Sequence, residues 1–87
     1  MPGVARKTTD VAGGNAIDGS ENVFVNGKGV VRKGDRVASH GIPPHSPTPP
    51  MVGSSSTVRV NGIFICREGD AASCGHTISG SSNVLSN

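Results

Sequence analysis

The sequence predicts an all-β fold made of short hairpin repeats around a pseudo-threefold axis, and three observations predict it. First, residues 22–35 (Asn-Val-Phe-Val-Asn-Gly-Lys-Gly-Val-Val-Arg-Lys-Gly-Asp) align without a gap on residues 57–70 (Thr-Val-Arg-Val-Asn-Gly-Ile-Phe-Ile-Cys-Arg-Glu-Gly-Asp). They share Val23/Val58, Val25/Val60, Asn26/Asn61, Gly27/Gly62, Arg32/Arg67, Gly34/Gly69 and Asp35/Asp70, too many matches for chance in so short a window. Second, each copy contains an alternating β-branched run ending in Asn-Gly, the strongest short hairpin signal because both residues tolerate positive φ. Third, the longest stretch free of Gly and Pro is Val4–Ala12, nine residues, which is shorter than a typical helix of about 11–12.

The third unit is split by the chain ends. Gly80-Ser81-Ser82-Asn83-Val84-Leu85-Ser86-Asn87 restarts the unit that begins at Gly19-Ser20-Glu21-Asn22-Val23. Gly3-Val4-Ala5-Arg6-Lys7-Thr8-Thr9-Asp10 reads as the second half of the unit, compared with Gly29 to Asp35, with one extra residue. Within each unit a return strand is expected at Val30-Val31-Arg32 or Phe64-Ile65-Cys66-Arg67, closed by a Gly-Asp turn. Asp10, Asp35 and Asp70 fall at equivalent turns and Arg6, Arg32 and Arg67 repeat with them, so backbone capping and Arg–Asp pairing are expected there. Residues 41–50 (Gly-Ile-Pro-Pro-His-Ser-Pro-Thr-Pro-Pro) break the pattern and read as a stiff extended loop, since neither side could bury a core alone.

Residues 1–87 are expected to form one domain, and its core is poor. Leu, Ile, Val and Phe number nineteen of 87, and Phe24 and Phe64 are the only aromatics. Thirteen Gly and six Pro further raise the entropy cost and turn content. A small chain of this kind needs a disulfide, a metal or a partner to hold it. A net charge of +2 without stacking aromatics argues against nucleic acid. The absence of a spanning apolar run or signal-like N-terminus places synthesis in the cytoplasm, with another machine carrying the protein if it leaves. In that compartment Cys66 and Cys74 point to metal binding or burial rather than to a disulfide.

The three histidines, His40, His45 and His76, all follow a Gly-Asp turn, and Cys74 lies two residues before His76. With one residue of slippage, Ala38-Ser39-His40 lines up with Ala72-Ser73-Cys74. Pseudo-threefold packing would then gather His40, His45, Cys74 and His76 at one apex. Three imidazoles and a thiolate form a closed tetrahedral set, suited to structural zinc, with iron the other candidate. The competing reading is scattered surface histidines, because His-x4-His and Cys-x-His are not zinc-finger spacings. Cys66, beside Phe64 and Ile65, reads as a buried small hydrophobe. A Cys74–His76 nucleophile pair lacks an evident orienting residue, so no enzyme is predicted.

These residues resemble the PAAR-repeat family over essentially the whole chain. The Pro-Ala-Ala-Arg motif is reduced to Gly3-Val4-Ala5-Arg6, Gly29-Val30-Val31-Arg32 and Ile63-Phe64-Ile65-Cys66-Arg67. Its context is fuller: Gly-Ser-x-Asn-Val before it, Gly-Asp after it, and Cys74-Gly75-His76-Thr77-Ile78-Ser79-Gly80. The resemblance implies a small cone with an apical zinc or iron held by His40, His45, His76 and Cys74. It also implies a partner: a trimeric β-helical spike, one tip per trimer, in a phage tail or a type VI secretion machine, sharpened to pierce a target membrane. The repeat pattern fits such a partner, since three near-equivalent units in one chain can meet the three chains of a trimer. Strands Asn22–Asn26, Thr57–Asn61 and Asn83–Leu85 are the expected base, with Val23, Phe24, Val58, Arg59, Val84 and Leu85 as candidate contacts. Other readings are a zinc-binding adaptor that recognises partners through the Pro-rich loop, and a secreted module with a Cys66–Cys74 disulfide.

Overall fold

Asn-Gly turns create two of the hairpins, and a turn at Gly13, φ 82°, creates the other. In the computed structural model, which describes residues 2–41 and 48–86, three two-stranded antiparallel hairpins form. They are β1 (Val11–Ala12) with β2 (Gly14–Asn15), β3 (Phe24–Val25) with β4 (Lys28–Gly29), and β5 (Arg59–Val60) with β6 (Ile63–Phe64). Asn26-Gly27 turns at φ 53° and 78°, and Asn61-Gly62 at 56° and 78°, as two-residue primed turns require. Among the described residues there is no helix.

The return segments begin as expected and then do more than close their own hairpins. Val30 and Ile65 extend their own hairpins, with Val30 N on Val23 O and Ile65 N on Val58 O, and the same segments bridge to neighbouring units at Arg6↔Val30, Arg32↔Ile65 and Val4↔Arg67. The reason is visible in the backbone bonds. Ala5 N donates to Cys66 O (3.1 Å), Cys66 N to Val31 O (2.8 Å) and Val31 N to Ala5 O (3.0 Å), closing a ring of three. Around it, Lys7 N bonds Gly29 O, Lys33 N bonds Phe64 O and Glu68 N bonds Gly3 O. A hairpin alone would leave these groups unpaired in the interior, whereas the ring satisfies them. The chain ends complete the third unit, with Val4 N on Val84 O, Ser81 N on Val4 O and a Gly3↔Leu85 bridge.

Side chains stack along the axis in threes. Val4, Val30 and Ile65 form one cluster, onto which Val25, Val58, Val60 and Val84 pack from the hairpins. The second cluster holds three further sets of equivalents: Ala5, Val31 and Cys66; Ala12, Val37 and Ala72; and Ala16, Met51 and Ile78. The sets that include Ala mix it with larger side chains, Ala16 with Met51 and Ile78 and Ala5 with Val31 and Cys66, so one unit's small residue makes room for its equivalents' larger ones. The buried Val31, Met51 and Ile78 each contribute on the order of 2 kcal/mol.

Polar clamps fix the same symmetry. Arg6–Asp10, Arg32–Asp35 and Arg67–Asp70 make the same pairing, in which the Asp also accepts from its arginine's backbone N–H. The extra residue of the split unit is absorbed at Thr8, which takes φ 64° where Gly34 and Gly69 take 90° and 93°. Buried Ser20, Ser55 and Ser81 each accept two backbone N–H bonds at the start of their hairpins. Ser20 Oγ also donates to Asn61 Oδ1 (2.8 Å) and Ser81 Oγ to Asn26 Oδ1 (3.0 Å), tying hairpin tips to adjacent units. Among the described residues no buried side-chain N or O lacks a partner.

Candidate metal centre

Beyond the Asp turns, the chain makes three apical excursions before returning to the core. Among the described residues they comprise 11–15, 36–41 with 48–50, and 71–77, each closed by the same bond: Ala16 N to Asp10 O, Met51 N to Asp35 O, Ile78 N to Asp70 O. Ala12, Val37 and Ala72, two residues past each Asp, are the buried equivalents. The register therefore needs no slippage there: His40 stands five residues after Asp35 and Cys74 four after Asp70. The extra residue lies in the loop itself, where the core does not fix spacing.

The excursions bring His40, Cys74 and His76 together, with one ligand atom from each lying within 4.8 Å of the others. His40 Nε2 is 3.5 Å from Cys74 Sγ, and the His40 and His76 rings meet edge to face with centroids 5.0 Å apart. A tetrahedral zinc with bonds of about 2.0–2.3 Å separates its ligand atoms by roughly 3.3–3.8 Å. The cluster needs only small contraction to reach that. His40 Nδ1 lies 2.9 Å from Ala38 O. A carbonyl oxygen only accepts, so Nδ1 carries the proton and Nε2 presents its lone pair toward Cys74. The second ligand loop is tightened by Gly75 N on Ala72 O and Ala72 N on His76 O, with Gly75 at φ 95°. The donor set fits a borderline-soft divalent ion. His45, the remaining expected ligand, lies outside the described residues.

Cys66 is excluded from the site. It is fully buried on the axis, its thiol donates to Gly53 O (3.3 Å), and both cysteines are free. Burial first, then the nearby Asp70 and Asp35 carboxylates, push its thiol up to about 12, so it stays protonated at neutral pH and offers no thiolate.

The sequence reading missed Gly13 and Gly14. A Cβ at Gly13 would stand 2.5 Å from His40 Nε2 and 2.7 Å from His76 Cδ2, and one at Gly14 would stand 2.2 Å from Ala38 O. Gly-Gly between short alternating segments is itself a hairpin signal that could have drawn notice to them.

At the opposite end, the expected base residues divide into two sets. Val58 and Val84 pack partly inward on the first axial cluster, while Val23, Phe24 and Leu85 are 38%, 58% and 48% exposed. The Arg59 guanidinium lies 4.4 Å from the centre of the Phe64 ring. This accounts for the differing residues at this position. Phe24 pairs across its hairpin with Gly29 and Arg59 with Phe64, so each of these hairpins carries one aromatic ring, on opposite strands.

Three β units closed into a ring, with a His–Cys cluster over one end of the axis, define a metal-site β cone. The profile of the PAAR motif matches residues 6–80, and the chain belongs to that family. It is a family of structural tips on contractile injection spikes, whose members generally bind a metal. No curated protein matches the chain.

Proposed function

We propose that the protein is the tip of a contractile injection spike: one copy caps a trimeric β-helical partner and carries a metal-hardened point. The observation behind this reading is the ring joining Ala5, Val31 and Cys66, which gives a single polypeptide three-unit symmetry about an axis. A lone chain with that symmetry can match the threefold end of a trimer, each unit meeting one subunit. Contact is assigned to Val23, Phe24, Val58, Arg59, Val84 and Leu85. Phe24 and Leu85 are large apolar side chains exposed to water in a protein with few to spare, which supports a contact role for them.

At the other end, His40, His45, Cys74 and His76 hold zinc, with iron the alternative. The ion supplies structural cross-linking and the protein catalyses no reaction. The tip is made in the cytoplasm, transported on its spike, and driven briefly through the target membrane from a phage tail or secretion tube. Mixing the tip with its trimeric spike should give one tip per trimer by mass, and replacing Val23, Val58 and Val84 together by Ala should weaken the complex. Three tips per trimer, or no change on substitution, would refute the docking assignment.

A further inference from the structure

We infer that the unit supplying no ligand among the described residues supplies the clamp: the β1–β2 hairpin, through Gly13 and Gly14, positions the metal ligands. The inference rests on the metal reading above and extends it to residues that never touch the ion.

Two contacts carry it. At Gly13, the hydrogen replacing a side chain faces both rings at once; a Cβ would lie 2.5 Å from His40 Nε2, 2.7 Å from His40 Cδ2 and 2.7 Å from His76 Cδ2. Any side chain there would occupy the space between imidazole edges that an ion must share. At Gly14 the obstacle is backbone: its Cβ would stand 2.2 Å from Ala38 O and 3.1 Å from His40 Nδ1. Ala38 O is the acceptor that fixes the His40 tautomer, and Ala38 N is held by Asn15 O at 2.8 Å. The hairpin therefore grips the residue that orients His40, from both its N–H and its C=O sides. Gly13 and Gly14 are positioning residues, and loss of such support costs roughly 10–100-fold in metal affinity.

The test uses the full chain loaded with cobalt(II), read by its visible d–d bands and by zinc competition. Gly14→Ala is the cleaner variant, because Gly14 does not adopt the left-handed conformation and so adds only the steric clash. Gly13→Ala adds left-handed strain at φ 82°, and Gly27→Ala, at φ 78° with nothing within 4 Å, controls for that strain. Amide spectra of Ala5, Val31 and Cys66 report whether the ring survives. The expected result is an intact ring with zinc affinity about 10–100-fold weaker and altered cobalt bands in Gly13→Ala and Gly14→Ala. Gly27→Ala should leave both readouts at the wild-type value. Wild-type affinity and bands in Gly14→Ala would overturn the clamp and leave the metal site standing. A wild-type chain that binds neither ion would overturn the site and the clamp together. If Gly14→Ala fails to fold, cobalt bands in Gly13→Ala corrected by Gly27→Ala decide in the same way.

Discussion

His40 Nε2 stands 3.5 Å from Cys74 Sγ, although the two residues are 34 positions apart in the chain. Neither loop could place them alone. The closure bonds Asp35–Met51 and Asp70–Ile78 launch both excursions from equivalent points around one axis, and the contact follows from that symmetry. Cys74 also packs against the axial cluster, so the site and the core are continuous.

Asp10 gives the fold a defined acid limit. Burial pushes its carboxyl pKa up, but hydrogen bonds from the Arg6 side chain, the Ser79 hydroxyl and the Arg6 amide outweigh that and hold it below the ordinary value. With the folded pKa below the unfolded value near 3.9, the stabilisation is complete above about pH 4 and is lost as pH falls through the folded pKa. Asp10→Asn should cost about 1.5–3 kcal/mol at pH 7, and the gap to wild type should close toward pH 2. Urea titrations at both pH values measure it; a gap that stays constant with pH would contradict the assignment.

Thr8 stores strain. It is β-branched, exposed and held at φ 64°, where the equivalent positions use Gly34 and Gly69. Thr8→Gly removes a penalty of about 1–2 kcal/mol and adds glycine's unfolded-state entropy, for a net gain of up to about 1 kcal/mol. A raised Tm is expected; a clear fall would mean that the Thr8 hydroxyl bond to Lys7 O matters more than the strain.

The two cysteines should separate cleanly. Cys66 shares its axial layer with Val31, so Cys66→Val should keep bound metal and change stability by less than about 1.5 kcal/mol. Cys74→Val should lose the metal. Metal content and Tm of both variants check this, and a metal-free Cys66→Val would contradict the division of roles.

Much of this was legible from residue identity because the units repeat it. Asn26-Gly27 and Asn61-Gly62 announced two hairpins, Arg and Asp announced their pairing, and the half-units at the ends announced the split third copy. What the sequence did not expose depends on neighbours brought in by folding. Val30 and Ile65 read as hairpin strands in one dimension and do bond to Val23 and Val58 of their own units, yet they also bridge to Arg6 and Arg32 of other units. The aromatic of the second hairpin is displaced from the Phe24 position to the facing strand, which only the cross-strand register reveals. Gly13 and Gly14 carry a hairpin signal in the sequence, but their closeness to His40 and His76 shows only once the three excursions are brought together.

The proposed apical ion holds together a molecule whose axis is lined largely by small residues. Elemental analysis of the purified protein, paired with melting in the presence and absence of a strong chelator, tests that most directly. The expected result is one zinc or iron per chain and, with an ion worth on the order of 10 kcal/mol, a Tm that falls by tens of degrees once it is removed. A chain without stoichiometric metal, melting at the same temperature in chelator, would contradict it.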